Sequence, residues 1–239
     1  MSRYSLLIVV ILAALVSTAR AQGEDNDGWK QVVKTDDLIV EMRKAEGTNV
    51  HSVRCSGYVK ASVAAIENCL RDLDTMKKIV FRFDTVEYIN EPALGMVCSD
   101  DIHYVYGMLD APWPVMDRDC VAVFKFWIDA KTGDVLCECT SQKTDYRLDK
   151  EAKKRIRVNI CYGKFTLIHK GKDLTYAMAE GLGDPEGAIP ASVINLFSRY
   201  GVIYTFKQFQ KAATSEKYNN PSAKLITTTV LSEDEPSLK

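Results

Sequence analysis

The chain predicts an α+β domain in which a strongly curved antiparallel sheet wraps around one long C-terminal helix, and three observations carry that prediction. Strands, one amphipathic helix, a long run of period two and a terminal helix follow one another in separate blocks. Turn residues punctuate the period-two run at hairpin spacing. The last helix is apolar on nearly every side, so it must cover something oily.

Taken in order, Leu38–Met42 and Val50–Val59 read as strands after a polar leader that ends near Trp29. Val63, Ile66, Leu70 and Leu73 then follow helical spacing, with Ser62 as N-cap and Glu67, Asn68, Arg71 and Asp72 on the polar side. A second short turn continues through Met76 to Val80. Strands are expected at Thr85–Asn90, Ile102–Leu109, Cys120–Ile128, Val135–Lys143, Arg157–His169 and Asp173–Leu182. Asp129-Ala-Lys-Thr-Gly-Asp134 and Lys170-Gly-Lys172 supply turns between them. Asp184-Pro-Glu-Gly-Ala-Ile-Pro190 makes a tight loop: Pro185 fixes φ, Gly187 can take φ > 0, and Pro190 suits a first helical turn. The helix begins near Ala191 and stays apolar through Val193, Ile194, Leu196, Phe197, Tyr200, Ile203, Tyr204 and Phe206. By itself it either closes a solid core or roofs a ligand cavity.

With 239 residues, 46% of them hydrophobic, the chain is long enough for one large domain with a substantial core. Residues 1–21 read as a signal peptide: Arg3 is the positive region, Leu6 to Val16 the apolar stretch, and Ala19-Arg20-Ala21 the cleavage site. An uncleaved anchor is the weaker alternative, since the apolar run is shorter than the roughly 20 residues that span a bilayer. Export to a periplasm or secretory space after cleavage near Ala21 is expected. Residues 22–28 are then a polar leader, 29–213 the domain, and 214–239 a mobile polar tail in which Leu225 to Leu231 has the composition of an edge strand.

The formal net charge is −1, and −3 once Arg3 and Arg20 leave with the signal, which disfavours nucleic acid as a partner. The cluster Lys150, Lys153, Lys154, Arg155 and Arg157 fits a solvated loop better than an anionic-membrane contact. Seven cysteines are an odd number for an oxidising compartment, so at least one is unpaired. Most read as small buried hydrophobes, with no metal-ligand spacing among them and no cofactor implied.

Two motifs resemble one family. Asp110-Ala-Pro-Trp-Pro-Val-Met-Asp-Arg-Asp119 resembles the Pro-Trp-Pro-x-x-x-Arg-Asp signature of START domains, the lipid-transfer domains named after steroidogenic acute regulatory protein. Far from it, Tyr162-Gly-Lys-Phe165, Thr175-Tyr176, Asp184-Pro-x-Gly-x-Ile-Pro190 and Ser192-Val-Ile-Asn195 look like the last two strands, the Ω-loop and the C-terminal helix of that family. The resemblance spans Trp29 to Ala212. It implies a helix-grip fold (START / Bet v 1-like), whose U-shaped sheet grips the last helix around an apolar tunnel for one lipid. The cavity reading of the helix follows.

Such a tunnel would serve a lipid carrier, because a sixteen-carbon chain crossing water uncovered costs about 13 kcal/mol at about 0.8 per CH₂. Candidate ligand contacts on the helix and its entry are Ile189, Val193, Ile194 and Phe197. On the strand Cys120–Ile128, Lys125 marks the solvent face and so directs Phe124 and Phe126 inward. Tyr104 and Tyr106 share one face of their strand and are suited to orienting a polar lipid head, or to a core. Tyr176, Met178 and Glu180 share another, with Glu180 either a head-group contact or turned to solvent. Some family members carry an acid and base pair in the tunnel; Phe124 stands where one such arginine would be. Arg118 reads as a structural ion pair at a strand start.

The expected gate is the loop Gly183–Ala188 with the helix start at Ile189, where Gly183 and Gly187 permit backbone change. On this reading Gly187→Val slows lipid exchange. The partners are then one lipid and, transiently, a membrane surface, with the protein a monomer. The rival class is a helix-grip enzyme, a cyclase or hydrolase using the same cavity. Against it stand the missing Gly-x-Ser-x-Gly and His-Glu-x-x-His motifs and the scattered His51, His103 and His169.

Overall fold

The computed structural model describes residues 27–111, 115–148 and 154–231. The expected signal peptide, most of the leader, Pro112 to Pro114, Lys150, Lys153 and residues 232–239 lie outside them. The elements are β1 (Lys30–Lys34), β2 (Ile39–Lys44), β3 (His51–Val59), α1 (Val63–Arg71), α2 (Leu73–Ile79), β4 (Phe83–Ile89), a short 3₁₀ turn (Pro92–Leu94) and β5 (Ile102–Leu109). They continue with β6 (Asp117–Asp129), β7 (Val135–Ser141), β8 (Arg155–Arg157), β9 (Ile160–Gly171), β10 (Leu174–Asp184), α3 (Ala191–Ala213) and β11 (Val230–Leu231).

One sheet holds every described strand, in the order β1-β2-β3-β10-β9-β7-β6-β5-β4, all antiparallel, with the short β8 and β11 lying parallel to β6. The chain is therefore split into an N-terminal triple of strands and a C-terminal run that join where β3 meets β10. The main core lies between this sheet, α1 and the C-terminal half of α3, built on Val40, Val59, Ile66, Phe126, Leu167, Phe206 and Phe209. A smaller cluster of Ile89, Met96, Tyr106 and Val121 covers the opposite face of β4 to β6. This is the helix-grip architecture.

Local chemistry explains the boundaries. Ser62 Oγ accepts from the Ala65 amide at 3.2 Å and caps α1, and Asp72 Oδ1 accepts from Thr75 N at 3.1 Å and caps α2. Trp29 is buried between the guanidinium groups of Arg43 and Arg54, which fixes β1, a strand the polar leader conceals. The strand expected over Arg157–His169 is two pieces. Arg155–Arg157 pairs with the start of β6, and the longer strand begins only at Ile160.

Residues 214–231, expected as part of a mobile tail, are packed across α1 and α2. The Tyr218 hydroxyl donates to Asp72 Oδ2 at 2.6 Å, and the Ile226 and Thr227 amides donate to Glu67 at 2.7 and 2.8 Å. Val230 and Leu231 then extend along β6. Glu67 and Arg71, read as part of a polar helix face, are the buried anchors of this segment rather than solvated groups.

Candidate functional site

Side chains alternate across a strand, so on β6 the even-numbered residues face α3 and the odd-numbered ones face away. Arg118, Cys120, Ala122 and Phe124 thereby line a cavity of 430 Å³, joined on that wall by Val105, Gly107 and Leu109 of β5. Opposite them stand Ile189 and the first turns of α3, with Val193, Ile194, Phe197 and Ser198, while Gly183 and Pro185 close one end. A second hollow of 230 Å³ adjoins through Leu70 and Met76, which border both, and reaches Phe165, Phe206 and Phe209. The larger hollow is within the roughly 300–1,000 Å³ typical of small-molecule sites.

Small side chains set among larger ones on the sheet wall leave room for the hollow. Gly107, Cys120, Ala122, Cys139 and Cys161 all border it. All seven cysteines are free thiols, and these three serve as small apolar wall residues. Hydrogen bonding to Cys161, and then burial, pushes the Cys120 and Cys139 thiols up.

Of the residues singled out in the sequence, Phe124, Ile189, Val193, Ile194, Phe197 and Gly183 border the cavity. Phe126 faces the same way but lies beyond the hollow, in the main core, beneath the Arg71 guanidinium at 3.8 Å. Tyr104 and Tyr106 do not reach the cavity. Both belong to the smaller cluster on the other face, where the Tyr106 hydroxyl donates to Asp119 Oδ2 at 3.1 Å. Amphipathic tyrosines suit a lipid head and a polar-edged core equally, and strand register decides for the core. Tyr176 also turns away from the hollow: its ring meets exposed Tyr58 edge to face, and its hydroxyl donates to Ser56 Oγ at 2.9 Å. Met178 follows it by alternation, while Ala177 and Ala179 point inward to the main core. Glu180 shares the outward face of Tyr176, opposite Arg54 and Lys164 in register, while the strand at this residue passes the edge of the smaller hollow.

Residues missed include Phe81, Phe83 and Val86, which wall the cavity beside the β4–β5 hairpin, with Val105 and Leu109 of β5.

Arg118 is one of the residues that hold the 183–188 loop, the expected gate. Arg118 Nε donates to the Pro185 carbonyl at 3.1 Å, Nη2 to the Glu186 carbonyl at 3.2 Å, and Nη1 to the Met116 carbonyl. Among the described residues its expected ion pair is not formed. The neighbouring Asp119 points to the opposite face and binds Arg155 at 2.6 Å and Arg157 at 2.8 Å. Burial opposes ionisation of Asp119, but the hydrogen bonds from Arg157 and Arg155 outweigh it and hold its carboxyl below the usual range. The loop itself turns through Glu186 at φ 55° and Gly187 at φ 78°, and Glu186 Oε1 accepts from the Asn159 amide at 3.0 Å.

His103, the histidine nearest carboxylates in the sequence, sits 3.3 Å from Arg71 Nη1 in the network that holds the C-terminal segment. Burial, reinforced by the Arg71 charge, pushes its pKa down.

This arrangement of curved sheet and long C-terminal helix recurs in solved structures. A STAR-related lipid transfer protein from Xanthomonas axonopodis superposes with a TM-score of 0.68 at 23% identity, covering 79% of this chain and all of that one. Human STARD10 gives 0.68 at 16% identity, with 84% of each chain covered. The chain has the START fold. Human StAR-related lipid transfer protein 5 gives 0.64 at 16% identity over 87% of this chain and 93% of its own. By sequence, an uncharacterized protein of Pseudomonas aeruginosa is 26% identical over 209 residues, 87% of this chain and 96% of that protein. No family model matches. At these identities the START neighbours establish architecture, and the function must be argued from the cavity.

Proposed function

We propose that the protein is a monomeric lipid carrier that holds one hydrophobic molecule between the sheet and α3, behind the 183–188 loop, and exchanges it at membrane surfaces. The observation that carries this reading is the apolar cavity of 430 Å³ with a second hollow continuing from it. A hollow with so few polar groups excludes water and offsets most of the cost of exposing an acyl chain or ring system. The names of the START-fold neighbours, lipid transfer proteins, point the same way.

Loading requires the wall to open at the loop and the first turns of α3. There Val193, Leu196, Phe197 and Tyr200 are exposed by 40 to 59%, an unusual concentration of apolar surface beside an entrance. This surface would rest on lipid while the loop swings. Residues 1–21 would deliver the chain to an exported compartment, where a carrier between membranes has a task.

The direct test is native mass spectrometry of the purified chain, followed by organic extraction and by incubation with liposomes. A retained or acquired mass of one lipid is expected. A chain that carries none and takes up none from liposomes would return the cavity to other uses.

A further inference from the structure

Two guanidinium groups stand on the cavity wall, and they are treated differently. Arg82 is partly exposed and paired with Asp110 at 2.8 Å. Arg118 is 5% exposed and binds three neutral carbonyls, those of Pro185, Glu186 and Met116. A guanidinium has five N–H donors, so one on each terminal nitrogen remains beyond these bonds.

The neighbouring carboxylates are committed elsewhere. Asp117 Oδ1 accepts from the Ala111 amide, Glu186 Oε1 from Asn159, and Asp184 from Thr48 and the Glu186 amide. Asp119 lies on the opposite face with Arg155 and Arg157. Among the described residues no carboxylate comes within ion-pair distance of Arg118. Burial pushes its pKa down, with only the field of Asp117 opposing. A buried cation without a counter-ion is costly, and an anion able to reach it relieves that cost.

We propose that Arg118 is the head-group site of the cavity and that the ligand is an acidic single-chain lipid, its carboxylate or phosphate against the two remaining N–H groups. This rests on the carrier reading above and names its cargo class. The chain of such a lipid lies along Ala122, Phe124 and Phe197 toward the second hollow. Because the same guanidinium pins the Pro185 and Glu186 carbonyls, cargo and gate meet at one side chain. An anion there also strengthens the closed loop.

The test is displacement of the neutral fluorophore Nile red from the full chain by palmitate, lysophosphatidate and methyl palmitate, in the native protein and in Arg118→Gln and Arg118→Lys. The native protein is expected to prefer at least one acid over the ester by about tenfold or more. The stronger acid identifies a carboxylate or a phosphate head. Arg118→Gln should still bind Nile red but lose the preference, and Arg118→Lys should retain most of it. Equal affinity for acids and ester in the native protein, which needs no variant to fold, overturns the proposal. So does an undiminished acid preference in Arg118→Gln. Failure of the native protein to bind Nile red or any of the three lipids would instead strike the carrier reading itself.

Discussion

Glu67 has no exposed surface, yet it is the centre of a hydrogen-bond network. It accepts from Arg71 Nε and Nη2 at 3.0 and 2.8 Å, from the Ile226 and Thr227 amides and from the Thr227 hydroxyl. Glu67→Ala would leave Arg71 buried over the Phe126 ring without its nearest carboxylate, and a loss of about 3–5 kcal/mol is expected from urea unfolding. Asp72 offers a pH test. Burial works against its ionisation, but hydrogen bonds from Lys217, Tyr218 and the Thr75 amide outweigh this and bring its pKa to about 2. A carboxyl depressed in the folded state stabilises above its unfolded pKa, and that contribution is lost as pH falls through the folded one. The thermal midpoint should therefore drop between about pH 4 and about pH 2 more steeply in the native protein than in Asp72→Asn. Parallel curves for the two would remove Asp72 from the acid response.

At the scale of elements, α3 has two halves with different tasks. Its C-terminal half is anchored by Phe206, Phe209 and Ala213, each buried in the main core, while Val193 and Phe197 in its first turns meet the cavity and solvent. Phe206→Ala is expected to cost about 3–5 kcal/mol of stability. Phe197→Ala should change stability by less than about 1 kcal/mol but slow uptake of a fluorescent lipid from liposomes; unchanged uptake would separate the helix start from the entrance. The loop proposed as the gate changes one expectation of sign. The sequence alone suggests that Gly187→Val slows lipid exchange more than it lowers bound-state affinity. Gly187 has φ 78°, and a Cβ there would stand 3.2 Å from Ile156 Cδ1 and 3.5 Å from Arg118 Nη2. A β-branched side chain is strained in that conformation and pushes on the latch, so the closed loop loses stability. Faster lipid release in a stopped-flow transfer assay is the expected outcome, and slower release would restore the simpler view.

For the whole molecule, the C-terminal segment joins elements that the sheet alone leaves apart. Thr229 bonds Asp101 through both its amide and hydroxyl, Thr227 bonds Glu67, and Val230–Leu231 adds to β6. Removing residues 224–239 should destabilise the domain by an amount similar to Glu67→Ala, and the two changes combined should cost far less than their sum, because both act on one network. Full additivity in urea unfolding would show that the segment is held by other contacts. The fold-level outline was legible in the sequence: hairpin spacing located β5 at its observed bounds and β6, β7 and β10 to within a few residues, and Ser62 located the start of α1. Five of the ten expected ligand contacts, Phe124, Ile189, Val193, Ile194 and Phe197, border the cavity, because α3 has one apolar entry turn and Lys125 orients β6. The tyrosines were misplaced for a physical reason. Period two says which residues share a face, but it does not say which face meets the helix.

Residue periodicity, turn chemistry and the apolar terminal helix determined by themselves the antiparallel sheet, its helical partner and the need for an oily filling between them. These depend on near neighbours in the chain. Only the tertiary structure decided where the hollow lies, that Arg118 rather than a tyrosine stands at its polar end, and that the tail is bound through Glu67. Each of those joins groups many residues apart, Arg118 to Glu186 or Glu67 to Thr227, and their meeting depends on how the sheet curves.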